Sequence, residues 1–190
     1  VRPEETAWRR PSFLQRTTEL SATERGTLFH AILQHIDLHG DVSTAGIRRQ
    51  VTEMEEQGYI PAGCGASIDC GRLSAFCGSE PVGRRMRGAV RLWRELPFSR
   101  LLPVREVNPN ASDEEESIFI QGVIDVLFEE DDGRLVLLDY KTDHDTRPAR
   151  VRERYARQVE LYREAVEEIL GRPVKESILY LLHDGTEVRL

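Results

Sequence analysis

The stretch GVIDVLFEEDDGRLVLLDYKTD, residues 122–143, decides the fold. Two apolar runs flank an acidic turn that ends in Gly133, the pattern of two antiparallel strands joined by a hairpin. Each run carries charge where a buried strand has none: Asp125 in the first, Asp139 and Lys141 in the second. Residues i and i+2 of a strand share a face, so Asp139 and Lys141 project together and Tyr140 points the other way. Leu137 precedes them on that face, which puts the charged pair where the strand leaves the core. Pairing through the 129–133 turn brings Asp125 beside Asp139. Two adjacent carboxylates repel unless something positive lies between them. Mg²⁺ suits that position, because it takes oxygen ligands and keeps waters that a substrate can replace. Two acids and a lysine around such an ion are the chemistry of phosphodiester hydrolysis. Taken alone, the DYK tripeptide also describes a plain ion pair of Lys141 with either acid.

Outward from this hairpin the elements sort into two kinds. Upstream, Ser21 and Glu24 form a capping box, and Leu28, Phe29, Ile32, Leu33 and Ile36 follow at helical spacing. Further helices are expected over 43–58, 67–77 and 79–95. Residues 101–107 read as a strand, as do 117–129 and 134–140. A long helix follows, with Thr146 as its cap, Pro148 in its first turn and Gly171 at its end. Val151, Tyr155, Val159, Tyr162, Val166 and Ile169 form its apolar face. Residues 176–182 read as a returning strand, and TEVRL (186–190) as an edge strand. Helices, three strands, a long helix and a strand make an α/β fold with a mixed sheet. Residues 1–20, interrupted by Pro3 and Pro11, read as a tether or arm, and 21–190 as one domain.

Composition limits the function classes. The 190 residues are 39% hydrophobic and 31% charged, with a net charge of −7. That argues against a freestanding nucleic-acid binder, which is usually basic. The acid is concentrated in 112–117 and 129–133. No run has the roughly 18 apolar residues of a membrane span, and the start, VRPEETAWRRPSF, lacks the apolar centre of a signal peptide. The chain does not begin with Met, so it reads as a fragment or a processed product. Cys64, Cys70 and Cys77 are odd in number and form no C-x-x-C, so they read as reduced thiols in a cytoplasmic protein. No G-x-x-x-x-G-K-[ST] occurs, so this chain is not expected to bind ATP.

GVIDVLF, LLDYKTD and RQVELY (157–162) together resemble the RecB-like PD-(D/E)xK nucleases. The paired acid motifs of that family fall on Asp125 and on Asp139-Tyr140-Lys141. Its QxxxY signature falls on Gln158 and Tyr162, and its GxxxH signature on Gly26 and His30. Four motifs in the family's order, from 26 to 162, make the set far more specific than any one of them. The opening WRRPSFLQ…LSATERGTLFHAILQHID is similar, more narrowly, to the C-terminal nuclease domains of AddA subunits in bacterial AddAB helicase–nucleases. The proline of the family's name is replaced by Ile124. Some relatives carry four cysteines for an iron–sulfur cluster, and three spaced as here imply none.

The resemblance implies a restriction-endonuclease-like fold: a mixed central sheet flanked by helices, with an N-terminal helical region. It implies a Mg²⁺-dependent exonuclease, with Mn²⁺ as a substitute. The substrate would be single-stranded DNA delivered by a helicase motor during double-strand break repair and recombination. His30, Asp125, Asp139 and the Tyr140 carbonyl would hold the metal. Asp125, Asp139, Lys141, Gln158 and Tyr162 would be the catalytic group, with Lys141 acting on the water. The partners would be the helicase portion of the same polypeptide and an AddB-like subunit. The competing function is a nuclease-like module kept for DNA binding or subunit docking.

Several residues bear two readings from sequence alone. A histidine on an apolar helix, as His30 is, can be a core residue or a ligand, and the resemblance favours the ligand. His35, five positions on, is turned by about 140° and cannot share that metal easily. His39, His144 and His183 carry plain structural readings. Gln158 and Tyr162 are helix neighbours at i and i+4, packed for structure or aimed at a substrate. Glu106 is either a further acid of the site or a surface residue. Arg147, Arg150, Arg154 and Arg157 form a stripe beside Gln158 that a phosphate backbone could follow. Arg84, Arg87, Arg91 and Arg94 show the same spacing, and solvation or DNA contact explains them equally.

Overall fold

The computed structural model describes residues 20–79, 81–107 and 117–190. Residues 1–19 of the proposed arm, the acid-rich 112–116 and the Glu106 side chain lie outside the described residues, and Leu20, the arm's last residue, packs against the core that contains Leu28 and Phe29. Five strands form one mixed sheet in sequence order. They are β1 (Arg91–Pro103), β2 (Ser117–Glu129), β3 (Leu135–Lys141), β4 (Val174–Leu181) and β5 (Thr186–Arg189). Pairing is antiparallel throughout except between β3 and β4. A parallel neighbour requires a crossover, and α6 (Pro148–Leu170) supplies it.

The two faces of the sheet are covered by different helices. Val126, Phe128, Val136, Leu138 and Tyr140 point into a core built with α1 (Ala22–His35), α2 (Thr44–Glu56), α3 (Cys70–Gly78) and α4 (Val82–Arg87). Leu127, Leu135, Leu137, Leu179 and Leu181 pack with Val151, Val159 and Val166 of α6 on the other face. β3 is therefore enclosed on both sides, and every residue from Leu135 to Tyr140 is buried. Full burial of a leucine contributes roughly 1.5–3 kcal/mol, which sets the scale of what holds a charged carboxylate in this strand.

Helix ends follow the local chemistry. The α1 capping box is present, with Ser21 Oγ accepting from the Glu24 N–H at 3.2 Å and Glu24 Oε2 accepting from the Ser21 N–H at 2.9 Å. α6 starts with Arg147 as N-cap and Pro148 in its first turn, and closes on Gly171 at φ 62°. Thr146 does not cap it; its side chain is hydrogen-bonded with Asp184 instead.

Three expectations need correction. The helix expected over 79–95 ends at Arg87, and the chain is already extended at Arg91. Gly88 closes that helix through its N–H to the Arg84 carbonyl at 3.0 Å, and Val90 N–H then joins the Glu129 carbonyl at 2.8 Å. The strand expected over 101–107 is the last part of a 13-residue β1, and 104–107 turn helical as α5 (Val104–Val107). The Arg84–Arg94 stripe therefore does not exist as one helical face. Arg94 instead donates to the Gln34 carbonyl at 3.1 Å and the Ile36 carbonyl at 2.6 Å, closing the C-terminus of α1.

Candidate metal centre

The register explains how one end of the sheet collects acids. β2 and β3 pair Val126 with Leu138, so Asp125 and Asp139 face each other one step further on. β1 and β2 pair Arg94 with Val126 and Leu96 with Ile124, which sets Glu95 level with Asp125. At that level the sides exchange on both strands. Arg94 and Val126 face the α1 side, whereas Leu96 and Ile124 pack in the α6 core. Glu95 takes up the change with a φ of 50°, the one positive φ outside glycine among the described residues. A left-handed glutamate costs on the order of 1–3 kcal/mol, and such strain gathers at functional sites.

α1 brings the fourth group. His30 Nδ1 lies 3.2 Å from Asp125 Oδ1 and 3.6 Å from Glu95 Oε1. The three ligand atoms of His30, Glu95 and Asp125 all fall within 4.8 Å of one another. Asp125 is aimed by its second oxygen, which accepts the Tyr140 N–H at 2.7 Å. The Tyr140 ring meets the His30 ring edge-on at 5.9 Å and the Phe76 ring at 5.2 Å, fixing the imidazole from below. Gly26 lets α1 approach, since a Cβ there would lie 3.3 Å from Thr142 Oγ1, just past Lys141.

Asp139 belongs to a second, adjoining unit. It is 2% exposed, and Lys141 Nζ lies 2.7 Å from its Oδ2. That oxygen is paired by charge but receives no well-directed hydrogen bond. Lys141 also donates to Gln158 Oε1 at 3.0 Å, and Gln158 Nε2 donates to the Tyr162 hydroxyl oxygen at 3.0 Å. The ammonium sits 4.6 Å from the centre of the Tyr155 ring. Gly122 makes room for Tyr162, because a Cβ there would lie 2.6 Å from the Phe98 ring and 3.3 Å from Tyr162.

The electrostatics are those of crowded acids. Burial, then the charge of Asp125, pushes the Asp139 carboxyl up to about 6 against the opposing pull of Lys141 and His30. Burial and Asp125 likewise raise Glu95. Burial pulls the His30 imidazole down, but the hydrogen bond and charge of Asp125, with Glu95 and Asp139, more than reverse it. One imidazole nitrogen with buried carboxylates is a donor set for Mg²⁺ or Mn²⁺. Glu95 and Asp125 are two carboxylates that share the single His30 imidazole, so the residues fit such an ion.

The structure thus gathers His30, Asp125, Asp139, Lys141, Gln158 and Tyr162 at one end of the sheet, while Tyr140 contributes its N–H to Asp125. It also places Asp139 outside the tight ligand group and Glu95 inside it. Glu95 was missed in the sequence because it lay within the expected 79–95 helix. Read as a strand, LWRELPF (92–98) would have shown a lone acid among apolar residues, the same signal that marks Asp125. The four stripe arginines, Arg147 at the N-cap of α6 and three within it, are exposed, and each meets a carboxylate. Arg147 lies 2.7 Å from Asp145, Arg150 3.5 Å from Glu153 and Arg157 2.8 Å from Glu160, while Arg154 pairs with Asp143. His35 stacks on Tyr59 at 4.3 Å, away from the acids. The roomier cavity around His35, Asp37, Arg49 and Gln50, ≈440 Å³, lies apart from this chemistry.

Comparison with known proteins agrees with this geometry. The PD-(D/E)XK nuclease superfamily pattern matches residues 7–188. An ATP-dependent helicase/nuclease subunit of Heliobacterium modesticaldum is 43% identical over 188 residues, covering 95% of this chain and 13% of that protein. The protein of the same name in Desulforudis audaxviator is 42% identical over 181 residues, covering 93% of this chain and 14% of its own length. In Clostridium botulinum strain Langeland the identity is 37% over 185 residues, covering 96% and 14%. The chain therefore spans about one seventh of the curated relatives it matches. A mixed sheet crossed by one long helix, two acid-bearing strands and a lysine two residues past the second acid place this chain in the PD-(D/E)XK nuclease superfamily.

Proposed function

We propose that this chain is the metal-dependent nuclease module of a larger helicase–nuclease polypeptide, hydrolysing phosphodiester bonds of single-stranded DNA. The observation that carries this reading is the clustering of His30, Glu95 and Asp125 within 4.8 Å, beside an Asp139–Lys141 pair at 2.7 Å. His30, Glu95 and Asp125 would hold Mg²⁺ or Mn²⁺, with Asp139 and the Tyr140 carbonyl at its margin. Such an ion supplies Lewis acidity toward a phosphate oxygen and a more acidic water. The side chains do the rest. Lys141 orients the attacking water and steadies charge that grows on the phosphate. Gln158 holds the ammonium in place through its Oε1, and Tyr162 holds the Gln158 amide. Water oxygen forms the new bond to phosphorus, the 3′-oxygen leaves with a proton, and the phosphate stays on the 5′ side of the released piece.

The relatives are named as ATP-dependent helicase/nuclease subunits. That name supports a motor elsewhere in the same polypeptide and a further, AddB-like subunit; exonuclease action and a place in double-strand break repair and recombination belong to the same proposal. The stripe Arg147, Arg150, Arg154 and Arg157 is the proposed backbone path toward Gln158. Their carboxylate partners are exposed or lie on the loop after β3, so phosphates can replace them at little cost.

Lys141→Ala tests the reading. It should slow Mg²⁺-dependent cleavage of an end-labelled single strand by at least about 10²-fold, while circular dichroism shows a folded chain, less stable for the lost Asp139 ion pair, and Mn²⁺ affinity stays close to native. Full cleavage in the variant would reduce Lys141 to an ion-pair partner. No cleavage by the native chain, with metal binding intact, would favour the docking-module reading.

A further inference from the structure

On the far side of Gly26 from His30 lies a second polar site, a pocket of ≈270 Å³. Arg25 of α1, Ser67 and Arg72, Thr142 and His144 after β3, and His183 after β4 contribute its polar lining. Arg72 Nη1 lies 3.3 Å from His183 Nδ1. A guanidinium can only donate, so this contact makes Nδ1 the acceptor and leaves Nε2–H of His183 as a donor toward other partners. The His144 and His183 rings meet edge-on at 4.5 Å. One acid, Asp69, also lines the pocket, and it is already engaged. Its Oδ1 accepts from the Gly71 and Arg72 N–H groups at 3.0 and 3.1 Å, and its Oδ2 lies 3.2 Å from Arg72 Nε. The Arg25 guanidinium has no ion pair or hydrogen bond among the described residues. Two guanidinium groups and two imidazoles against one engaged carboxylate leave an excess of donors in a pocket with room for a phosphate group and several waters.

Position gives this pocket its ligand. Thr142, on its wall, follows Lys141 directly, and α1 runs from Arg25 in the pocket to His30 at the acid cluster. Five helical residues span only about 7.5 Å. The contrast with α6 is useful: there every arginine of the stripe already meets an acid. From this we infer that the Arg25–Arg72–His144–His183 pocket is a phosphate subsite that holds a backbone phosphate of the DNA strand next to the scissile one. Guanidinium forks suit phosphate oxygens, and such contacts set the register of a strand without reading its bases. The inference rests on the nuclease reading for its substrate. It turns His144 and His183, plain structural residues from sequence alone, into strand-positioning groups.

The test is read in EDTA, so that loss of cleavage cannot be mistaken for loss of this site. Fluorescence anisotropy of a labelled oligothymidylate is followed across a salt series with the full 190-residue chain. Arg25→Glu combined with Arg72→Ala should weaken binding about tenfold and lower the salt slope by about 1, one counterion for the one phosphate no longer held. His144→Ala is the milder variant, expected to weaken binding a few-fold if the double variant fails to fold. In a second arm, histidine NMR signals are followed in the native chain. Oligothymidylate should shift those of His144 and His183. Unchanged affinity and slope in a folded variant overturn the proposal. So does a shift produced by inorganic phosphate with none produced by oligothymidylate, which would make this a free-phosphate site. Binding retained by a native chain that never cleaves would leave the subsite standing and remove only the nuclease reading.

Discussion

The two ends of the sheet carry charge clusters of similar make-up and different balance. Where β4 begins, Glu130 and Glu176 are met by Arg85 at 2.7 Å each, Lys175 joins Glu130 at 2.7 Å, and Arg189 joins Glu176 at 3.0 Å. Lys175 also lies 3.7 Å from Asp132, so three cations serve three acids, and the hydrogen bond from Arg85 holds the Glu130 carboxyl below its ordinary value despite burial. Where β3 ends, three acids meet Lys141 and one imidazole, and the Asp139 carboxyl stands at about 6, with Glu95 also raised. The residue types barely differ, yet Glu130 is held down by its cations whereas Asp139 and Glu95 are raised, first by burial and then by Asp125. A closed ion-pair network is complete as it stands, whereas the acid-rich cluster is arranged for a cation that the protein's own side chains do not supply.

That contrast breaks most sharply through the metal ligands. His30→Ala and Glu95→Gln should each weaken Mn²⁺ binding by roughly 10–100-fold in calorimetry, the range typical when a group around a metal is removed. His35→Ala, on the helix face stacked against Tyr59, should leave it unchanged. Equal losses at His30 and His35 would mean that the wrong face of α1 has been assigned to the metal.

Removing one acid from each end should change stability by a smaller amount and with opposite signs. Asp139 binds its proton more tightly folded, at about 6, than at its ordinary 3.8. In chelator its contribution to stability is present below pH 3.8 and is lost as pH rises through 6. Asp139→Asn should therefore raise metal-free stability at pH 7.5 by on the order of 1–2 kcal/mol, part of the gain being offset by the pairing Lys141 loses. Glu130 is shifted downward, so its contribution is present above its ordinary 4.5 and is lost as pH falls. Glu130→Gln should lower stability at pH 7.5 by about 1 kcal/mol. Chemical denaturation at pH 5 and pH 7.5 reads both variants. Two changes of the same sign would erase the distinction between the ends.

Sequence carried the site unevenly, and the reasons are physical. Asp125, Asp139 and Lys141 stood out because a strand buried on both faces has no ordinary place for charge. The long α6 was legible from its apolar face and from the Pro148 and Gly171 at its ends. The Arg91–Pro103 strand was hidden by its half-buried, charge-alternating composition, in which arginines fall at helical spacing by chance. Glu95 was lost with it. The phosphate pocket draws on residues from 25 to 183, and only the packed chain brings them together.

The most direct measurement is anomalous diffraction from crystals soaked in Mn²⁺. A single strong peak bounded by His30 Nδ1, Glu95 Oε1 and Asp125 Oδ1, with none at the Arg85–Glu130–Glu176 network, is the expected result. A peak elsewhere, or none in crystals whose protein still cleaves DNA in Mn²⁺, would contradict the assignment of this acid cluster as the metal centre.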